Sequence, residues 1–399
     1  MKVLFATDCF YPQIIGSAYA VYRISRALAA KGHKVMVVTP DVGGGVLQVD
    51  DDNYRVTYVH SIPLPYFREI RTPIIPLPVM TKVRMFNPDI VHIHHPFVVG
   101  HGALWVARWY HIPVVITNHL LPESFLMFVP KAGIFDGATR SAILNNTWRI
   151  IVNFCNRADV VTAPTRTAVE LLKLHGVKRE VIPISNGIEF DKFNIDQKCD
   201  DLKQRLRLPD LPIILYAGRL SEEKRVDVLI KAIKYVLAKM EVHLLIVGDG
   251  LHRGYLEQLV ATLKLDKYVT FAGFLDEHDY VRVFRLASVF VMPSQSELQC
   301  IACVEAMASG LPLVAANQYA LRELIDGNGY LFEPGNPVDL AKRLVTILGD
   351  NRLRTAMGCK SRIMAGAHDI DKIVEEYETV YEKLIRRYTC NQRYSLSMA

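Results

Sequence analysis

Two series of short, wholly apolar runs alternate with amphipathic stretches along this chain, and a polar, proline-marked interval separates the two series. KVLFATD reads as a buried strand. After the loop CFYPQIIGS, the segment AVYRISRALAAKG repeats its apolar residues at helical spacing and stops at Gly32. HKVMVVTP is the next strand and DVGGG a turn. A strand–helix–strand order closes by a right-handed crossover, which makes the strands parallel. RVTYVHS, DIVHIHH, PVVITNH and DVVTAPT extend the series, with helices expected around 101–110, 137–157 and 166–174. DDLKQRLRLPDLP reads as a linker.

Beyond it the alternation restarts. PIILYAG, VHLLIVGDG, YVTFAGF, VFVMPSQ and LPLVAA are strands. VDVLIKAIKYVLAKM, YLEQLVATLKL, IACVEAMASG and DLAKRLVTILGD are helices, with a helical turn at ALRELID. A last helix, IDKIVEEYETVYEKLIRRY, gathers Ile373, Tyr377, Val380, Tyr381 and Leu384 on one side. A chain of 399 residues exceeds what one core sustains. The expectation is two doubly wound α/β domains facing each other across a cleft, with ligands at the carboxyl ends of the strands.

Composition narrows the class. The N-terminal apolar run is too short for a signal peptide and no run of about eighteen apolar residues follows, so a cytoplasmic location is expected. The seven cysteines are odd in number and scattered, which points to reduced thiols. Cys300 and Cys303 form an isolated C-x-x-C without the second pair that a zinc site needs. Residues 1–190 hold 19 Lys and Arg against 13 Asp and Glu, while the remaining 28 of each sign cancel. The net +6 therefore lies in the first half, and stretch 55–157 alone has 10 basic and 4 acidic residues. Such a surplus suits an anionic ligand or surface, or serves simply as a solubilising face.

Four residues carry the chemistry. Arg219 and Lys224, in YAGRLSEEKRVD, follow a strand at the rim where an α/β domain binds its ligand. A forked guanidinium beside an ammonium suits a diphosphate, although basic residues in loops are common. Glu297 and Glu305, in SELQCIACVEAMASGLP, sit before and within a helix whose first N–H groups can meet anionic oxygens. A carboxylate accepts two hydroxyl hydrogens, so each acid could hold a vicinal diol of ribose or hexose; a helix-capping acid and a locally paired buried Glu are the structural alternative. Asp50, Asp51 and Asp52 superficially offer a metal-binding D-x-D pair but lie in a polar loop. His92 and His94 share one strand face without a third metal ligand.

ELQCIACVE resembles the E-x7-E element of retaining glycosyltransferase family 4, whose fold is GT-B. FYPQIIGS, AGRLSEEK, PISNGIEFDKF, VGDG, FAGF and EAMASGLPLVA match further family elements in the same order, and the last helix resembles the one that returns to the first domain. The resemblance implies an acceptor-binding domain at 1–195, joined by the returning helix 369–388, and a nucleotide-sugar domain at 205–365. It implies that Arg219 and Lys224, with Gly218 beside them, neutralise the leaving diphosphate. Glu297 would hold the donor hexose, with backbone amides from Gln299 through Cys300 to Ile301. Glu305 would bind ribose, Gly273 and Phe274 would line the base, and Gly16 would admit the diphosphate. His119 would lie close to the transferred sugar, and His95 would contact the acceptor. Ser17 stands where a second glycine is usual, and Cys300 where a glycine is frequent and its side chain would crowd the donor.

The implied reaction retains the anomeric configuration and needs no metal and no cofactor beyond the nucleotide sugar as co-substrate. The expected partners are a nucleotide-sugar donor, UDP-glucose, a lipid or small-molecule acceptor and an anionic membrane surface, with no nucleic acid. Basic and apolar residues mix in HSIPLPYFREIRTPIIPLPV and around Lys131, Arg140, Arg149 and Arg157, as in proteins that lie on anionic bilayers. HIHHPFVVG followed by TNHLLPES also resembles the diacylglycerol hexosyltransferases of the family. A lipid acceptor, with peripheral association on the inner face of the membrane, is the leading expectation. A soluble acceptor and a non-catalytic nucleotide-sugar sensor are the alternatives, the last having to coexist with all four clamp residues.

Overall fold

The computed structural model describes residues 1–13, 15–41, 52–64, 67–125, 137–193 and 199–397. The chain forms two compact units, one of Met1–Pro122, Val129–Gly187 and Ile370–Ala399, the other of Glu123–Phe128 and Ile188–Asp369.

The first unit contains β1 (Lys2–Ala6), α1 (Gly16–Ala30), β2 (Lys34–Pro40), β3 (Tyr54–Val59), β4 (Ile62–Leu64), β5 (Phe67–Thr72), α2 (Leu77–Phe86), β6 (Ile90–Ile93), α3 (Val98–Trp109), β7 (Val114–Thr117), α5 (Gly137–Cys155), β8 (Val160–Ala163), α6 (Arg166–Leu174) and β9 (Val181–Pro183); the one-turn α4 (Pro122–Phe125) ahead of α5 belongs, after Pro122, to the second unit. Seven strands run parallel in the order β3-β2-β1-β6-β7-β8-β9. β1 pairs with both neighbours, Phe5 opposite Val37 on one side and His92 on the other. Strands covered on both faces need unbroken apolar runs, which is why KVLFA and IVHI do not alternate. The chain leaves β1 in one direction through α1 and β6 in the other through α3, so right-handed crossovers put these helices on opposite faces.

HSIPLPYFREIRT, read above only for its composition, forms the antiparallel pair β4 and β5. Pro63 keeps it a short ribbon apart from the main sheet, since proline cannot donate to a ladder. Asp50 and Asp51 of the D-x-D stretch, the DVGGG glycines and Lys131 lie outside the described residues.

The second unit contains α7 (Asp200–Arg205), β10 (Ile213–Ala217), α8 (Val226–Leu237), β11 (His243–Val247), α9 (Arg253–Thr262), β12 (Val269–Gly273), α10 (Glu277–Val283), β13 (Val289–Met292), α11 (Ile301–Ala308), β14 (Leu313–Ala316), β15 (Gly329–Phe332), α12 (Pro337–Gly349) and α13 (Asn351–Ala365). Its six strands are parallel in the order β12-β11-β10-β13-β14-β15. The expected linker at 200–212 is not a bare connection. Asp200 and Asp201 open α7 and Lys203 and Arg205 close it, the charge order that a helix dipole favours. Leu202 is buried, Arg205 reaches Asp279 at 2.5 Å, and Arg282 pairs with Asp201.

After α13 the chain returns to the first unit as α14 (Ile370–Ser397). Ile373, Val374, Tyr377, Tyr381 and Leu384 enter one core with Val3, Phe5, Val21, Ile24 and Leu28. Lys31, the C-cap of α1, bonds Glu375 and Glu378 of α14 at 3.3 and 3.1 Å.

Candidate active site

The carboxyl ends of β10, β11 and β12 are laced together by backbone. Gly218 N–H donates to Val247 O at 3.0 Å, Leu220 N–H to Asp249 O at 2.9 Å, and Gly248 N–H to Gly273 O at 2.7 Å. A Cβ at Gly248 would lie 2.1 Å from Gly218 O, and one at Gly250 would lie 2.3 Å from Leu220 O. VGDG is therefore glycine-rich so that the Arg219 loop can lie against it. The buried Tyr216 hydroxyl donates to Arg219 O at 2.9 Å and pins that loop from below.

Arg219 is half exposed, and its Nη2 meets Glu223 Oε1 at 3.3 Å, which also accepts from Ser221 Oγ at 2.6 Å. Lys224 Nζ lies 2.5 Å from Glu297 Oε1, and both side chains are largely buried. Burial alone would lower the Lys224 pKa, but the Glu297 carboxylate outweighs it and holds the ammonium above its ordinary range. The pair uses one of three ammonium donors and one carboxylate oxygen. Among the described residues, two donors and Glu297 Oε2 remain for a ligand.

Cys300 is the N-cap of α11, placing the orphan N–H groups of that helix beside Lys224 and Glu297. Cys300 is buried in the core of the unit beside Cys303, whose thiol burial pushes well above its ordinary pKa. The buried Cys300 side chain therefore stands at the helix start beside Lys224. Gln299 and Ile301 flank it. One turn into α11, Glu305 is buried and accepts from the Tyr280 hydroxyl at 2.8 Å. Gly273 ends β12 at φ +69°, and the Phe274 ring beyond it is exposed.

Among the described residues, Asp276, His278 and Asp279 form a group that could hold a metal ion. Asp276 already caps α10 by accepting Asp279 N–H at 2.8 Å, and Asp279 pairs with Arg205 and Arg282.

The carboxyl rim of the first sheet is built differently, from neutral polar groups. His92 is wholly buried, its Nδ1 2.6 Å from Tyr381 Oη and its Nε2 2.6 Å from Thr117 Oγ1. His94 Nδ1 lies 2.8 Å from His119 Nε2. His95 bridges Thr7 Oγ1 at 3.0 Å and Ser17 Oγ at 3.2 Å. Burial lowers the pKa of all four, to about 3 for His92, about 4 for His95, and well down for His94 and His119, where neighbouring histidines add to it. Gly16, exposed, is the first residue of α1, next to Ser17. Asp8 caps α3, accepting Val99 N–H at 3.1 Å, and burial raises its pKa to about 7 against the pull of the Val99 and Gly100 N–H groups.

Two family models divide the chain between them, Glycosyltransferase Family 4 over residues 14–192 and Glycosyl transferases group 1 over 199–364. The chain is a GT-B glycosyltransferase of the family 4 type.

The glycosyltransferase is 28% identical over 373 residues to sulfoquinovosyl transferase SQD2 of Arabidopsis thaliana, covering 90% of this chain and 69% of that one. It is 29% identical to a GDP-mannose-dependent alpha-mannosyltransferase of Mycolicibacterium smegmatis, covering 95% and 98%. It is 26% identical to the alpha-monoglucosyldiacylglycerol synthase of Streptococcus pneumoniae, covering 82% and 73%. Among solved structures, Anabaena Alr3699/HepE in complex with UDP-glucose shares the fold at a TM-score of 0.77 and 20% identity, covering 96% of this chain and 100% of that one. The enzyme transfers a sugar from a nucleotide sugar.

The structure brings Arg219, Lys224, Glu297, Gly218, Gly273 and Glu305 to one end of the second sheet, and Gly16, His95 and His119 to one end of the first. Residue-level reading missed the supports: Glu223 under Arg219, Tyr280 on Glu305, Asp8 capping α3, and the bond of His94 to His119. SEEK and FATD contain two of these acids, but only their bonding shows what they hold. Ser17 replaces a usual glycine and uses its hydroxyl on His95.

Proposed function

We propose that the enzyme transfers glucose from UDP-glucose, with retention of anomeric configuration and without a metal, to a lipid acceptor such as diacylglycerol at a membrane surface. The observation that carries the donor half is the Lys224–Glu297 pair beside the start of α11. It stations a fixed cation, a free carboxylate oxygen and orphan N–H groups within reach of one diphosphate sugar.

In this reading Arg219 and Lys224 stabilise the leaving diphosphate electrostatically, so no protein base is required. Glu297 Oε2 accepts from donor hydroxyls, and the amides of Gln299, Cys300 and Ile301 meet the anionic oxygens. Glu305, oriented by Tyr280, holds the ribose; Gly273 and Phe274 line the base; Gly218 and Gly16 admit the diphosphate. His119 donates to or accepts from the transferred sugar, its ring fixed by His94. His95 helps to shape the acceptor side. Being uncharged, the histidines can bond sugar hydroxyls without competing with the diphosphate for the cations.

The UDP-glucose complex of HepE and the diacylglycerol named in the Streptococcus pneumoniae relative support donor and acceptor, and the basic surplus of the first half supports an anionic surface. The GDP-mannose named in the mycobacterial relative favours a second donor reading, a mannosyl transfer with the same clamp. Purified protein should be assayed with UDP-glucose and GDP-mannose, with and without vesicles of diacylglycerol and anionic lipid, and the product anomer read by NMR. An α-glucolipid formed from UDP-glucose is expected. Turnover indifferent to lipid, or an inverted product, would refute the proposal.

A further inference from the structure

An apolar face of the first unit is untouched by the chemistry above. It is formed by loop 73–76 with α2 and α3. Ile74, Ile75 and Leu77 stand exposed at the start of α2, and Trp105 and Trp109 are 56% and 69% exposed on α3. The two indoles are one helical turn apart and stacked at 5.7 Å. By the same helical spacing His101 and Arg108 share that side of α3, and Leu77, Met80 and Arg84 share one side of α2. A groove of about 430 Å³ is walled by Pro76, Met80, His101, Trp105, Arg108 and Arg157. Monomeric proteins seldom leave such a patch uncovered unless something docks there.

Charge indicates the occupant. From Pro73 to Tyr110 the sequence has one acid, Asp89, which accepts from the Lys2 backbone N–H at 2.7 Å. Arg108 is neutralised by Asp159 at 3.1 Å, while among the described residues Arg157 at the rim of the groove and Arg84, exposed on α2, form no ion pair. A second copy docked by two-fold symmetry would bring this cationic patch onto itself. Tryptophans beside cations, with no acid on α2 or α3, match the headgroup boundary of an anionic bilayer, where indoles partition and basic residues meet lipid phosphates.

We propose that the α2–α3 face docks the enzyme on an anionic bilayer. Ile74, Ile75, Trp105 and Trp109 enter the headgroup boundary, and Arg84 and Arg157 bind lipid phosphates. This deepens the lipid-acceptor reading by naming the surface that meets the membrane, and rests on it for its purpose.

The protein carries its own probe. Of its three tryptophans only Trp148 lies elsewhere; it is 4% exposed and stacked on His175 at 3.9 Å. Full-length enzyme should be titrated with phosphatidylcholine vesicles, with and without phosphatidylglycerol, carrying brominated acyl chains. Emission should shift to the blue and be quenched with phosphatidylglycerol, less so at high salt. The variant W105S/W109S should bind these vesicles about tenfold or more weakly, with its melting temperature checked and its transfer to detergent-dispersed diacylglycerol unchanged. Arg84→Glu with Arg157→Glu, keeping both indoles, should abolish the preference for phosphatidylglycerol. Vesicle binding without quenching would place docking elsewhere and overturn the proposal. So would no binding, or a doubling of mass in sedimentation that only W105S/W109S abolishes. Transfer to diacylglycerol without quenching sinks the docking surface alone; quenching without transfer sinks the lipid acceptor alone.

Discussion

The two sheets end in opposite kinds of chemistry. The rim of the second is ionic: Lys224 with Glu297, Arg219 with Glu223, and Arg225 with Asp227 at 3.0 Å. The rim of the first is polar and uncharged, four histidines kept neutral by burial and bonded to threonine, serine, tyrosine or one another. In the proposed reading the ionic rim takes the diphosphate and the neutral rim the uncharged sugar hydroxyls. Lys224, largely buried, is kept charged by the Glu297 carboxylate. Neutral imidazoles offer donors and acceptors to hydroxyls without attracting the diphosphate.

The largest expected effect comes from breaking the ionic rim. Lys224→Ala removes the fixed charge and strands Glu297, so kcat should fall on the order of a hundredfold, for about 3 kcal/mol of lost stabilisation. Glu297→Gln, which keeps a hydroxyl acceptor but drops the charge, should lose less. UDP release with donor at saturation reads both, and an unimpaired Lys224→Ala would remove the clamp from the account.

Next in size is the pH response of the neutral rim. His92 and His95 bind protons at about pH 3 and 4 when folded, but near 6.5 when unfolded. The unfolded chain therefore binds more protons between those values, and stability contributed by these histidines is lost as pH falls from 6.5 toward 3. The melting temperature should drop on acidification through this window, and His95→Gln should flatten the drop. A melting temperature that rises on acidification would contradict the neutral rim.

Asp8 has the opposite sign. Its folded pKa of about 7 exceeds its unfolded value, so its contribution is present below about pH 4 and is lost as pH rises through 7. Asp8→Asn keeps the cap acceptor without acquiring charge. It should raise the melting temperature at pH 8 by a few degrees and leave it unchanged at pH 4. The smallest effect is Tyr280→Phe, which frees Glu305 from one hydrogen bond and should weaken UDP binding about fivefold, near 1 kcal/mol.

Much of this was legible before any coordinates. Parallel-sheet strands buried on both faces announce themselves as unbroken apolar runs, and Arg219, Lys224, Glu297 and Glu305 stand in motifs whose order is distinctive. What stayed hidden depends on distance through space. Glu223 looks like surface charge until its bonds to Ser221 and Arg219 are seen. The α7 stretch looks like a linker because its few apolar residues, Leu202, Leu206 and Leu208, are scattered among charges and a proline, and only their burial shows that they join the core. Cys300 reads as a departure from a frequent glycine, and sequence does not show that its side chain is buried beside Cys303 in the core of the unit.

The most direct test of the division between the rims is calorimetric binding of UDP to wild type, Lys224→Ala and His119→Ala. The account predicts that Lys224→Ala loses UDP affinity by tenfold or more, while His119→Ala binds UDP like wild type yet transfers sugar poorly. UDP binding that survives Lys224→Ala and fails in His119→Ala would contradict it.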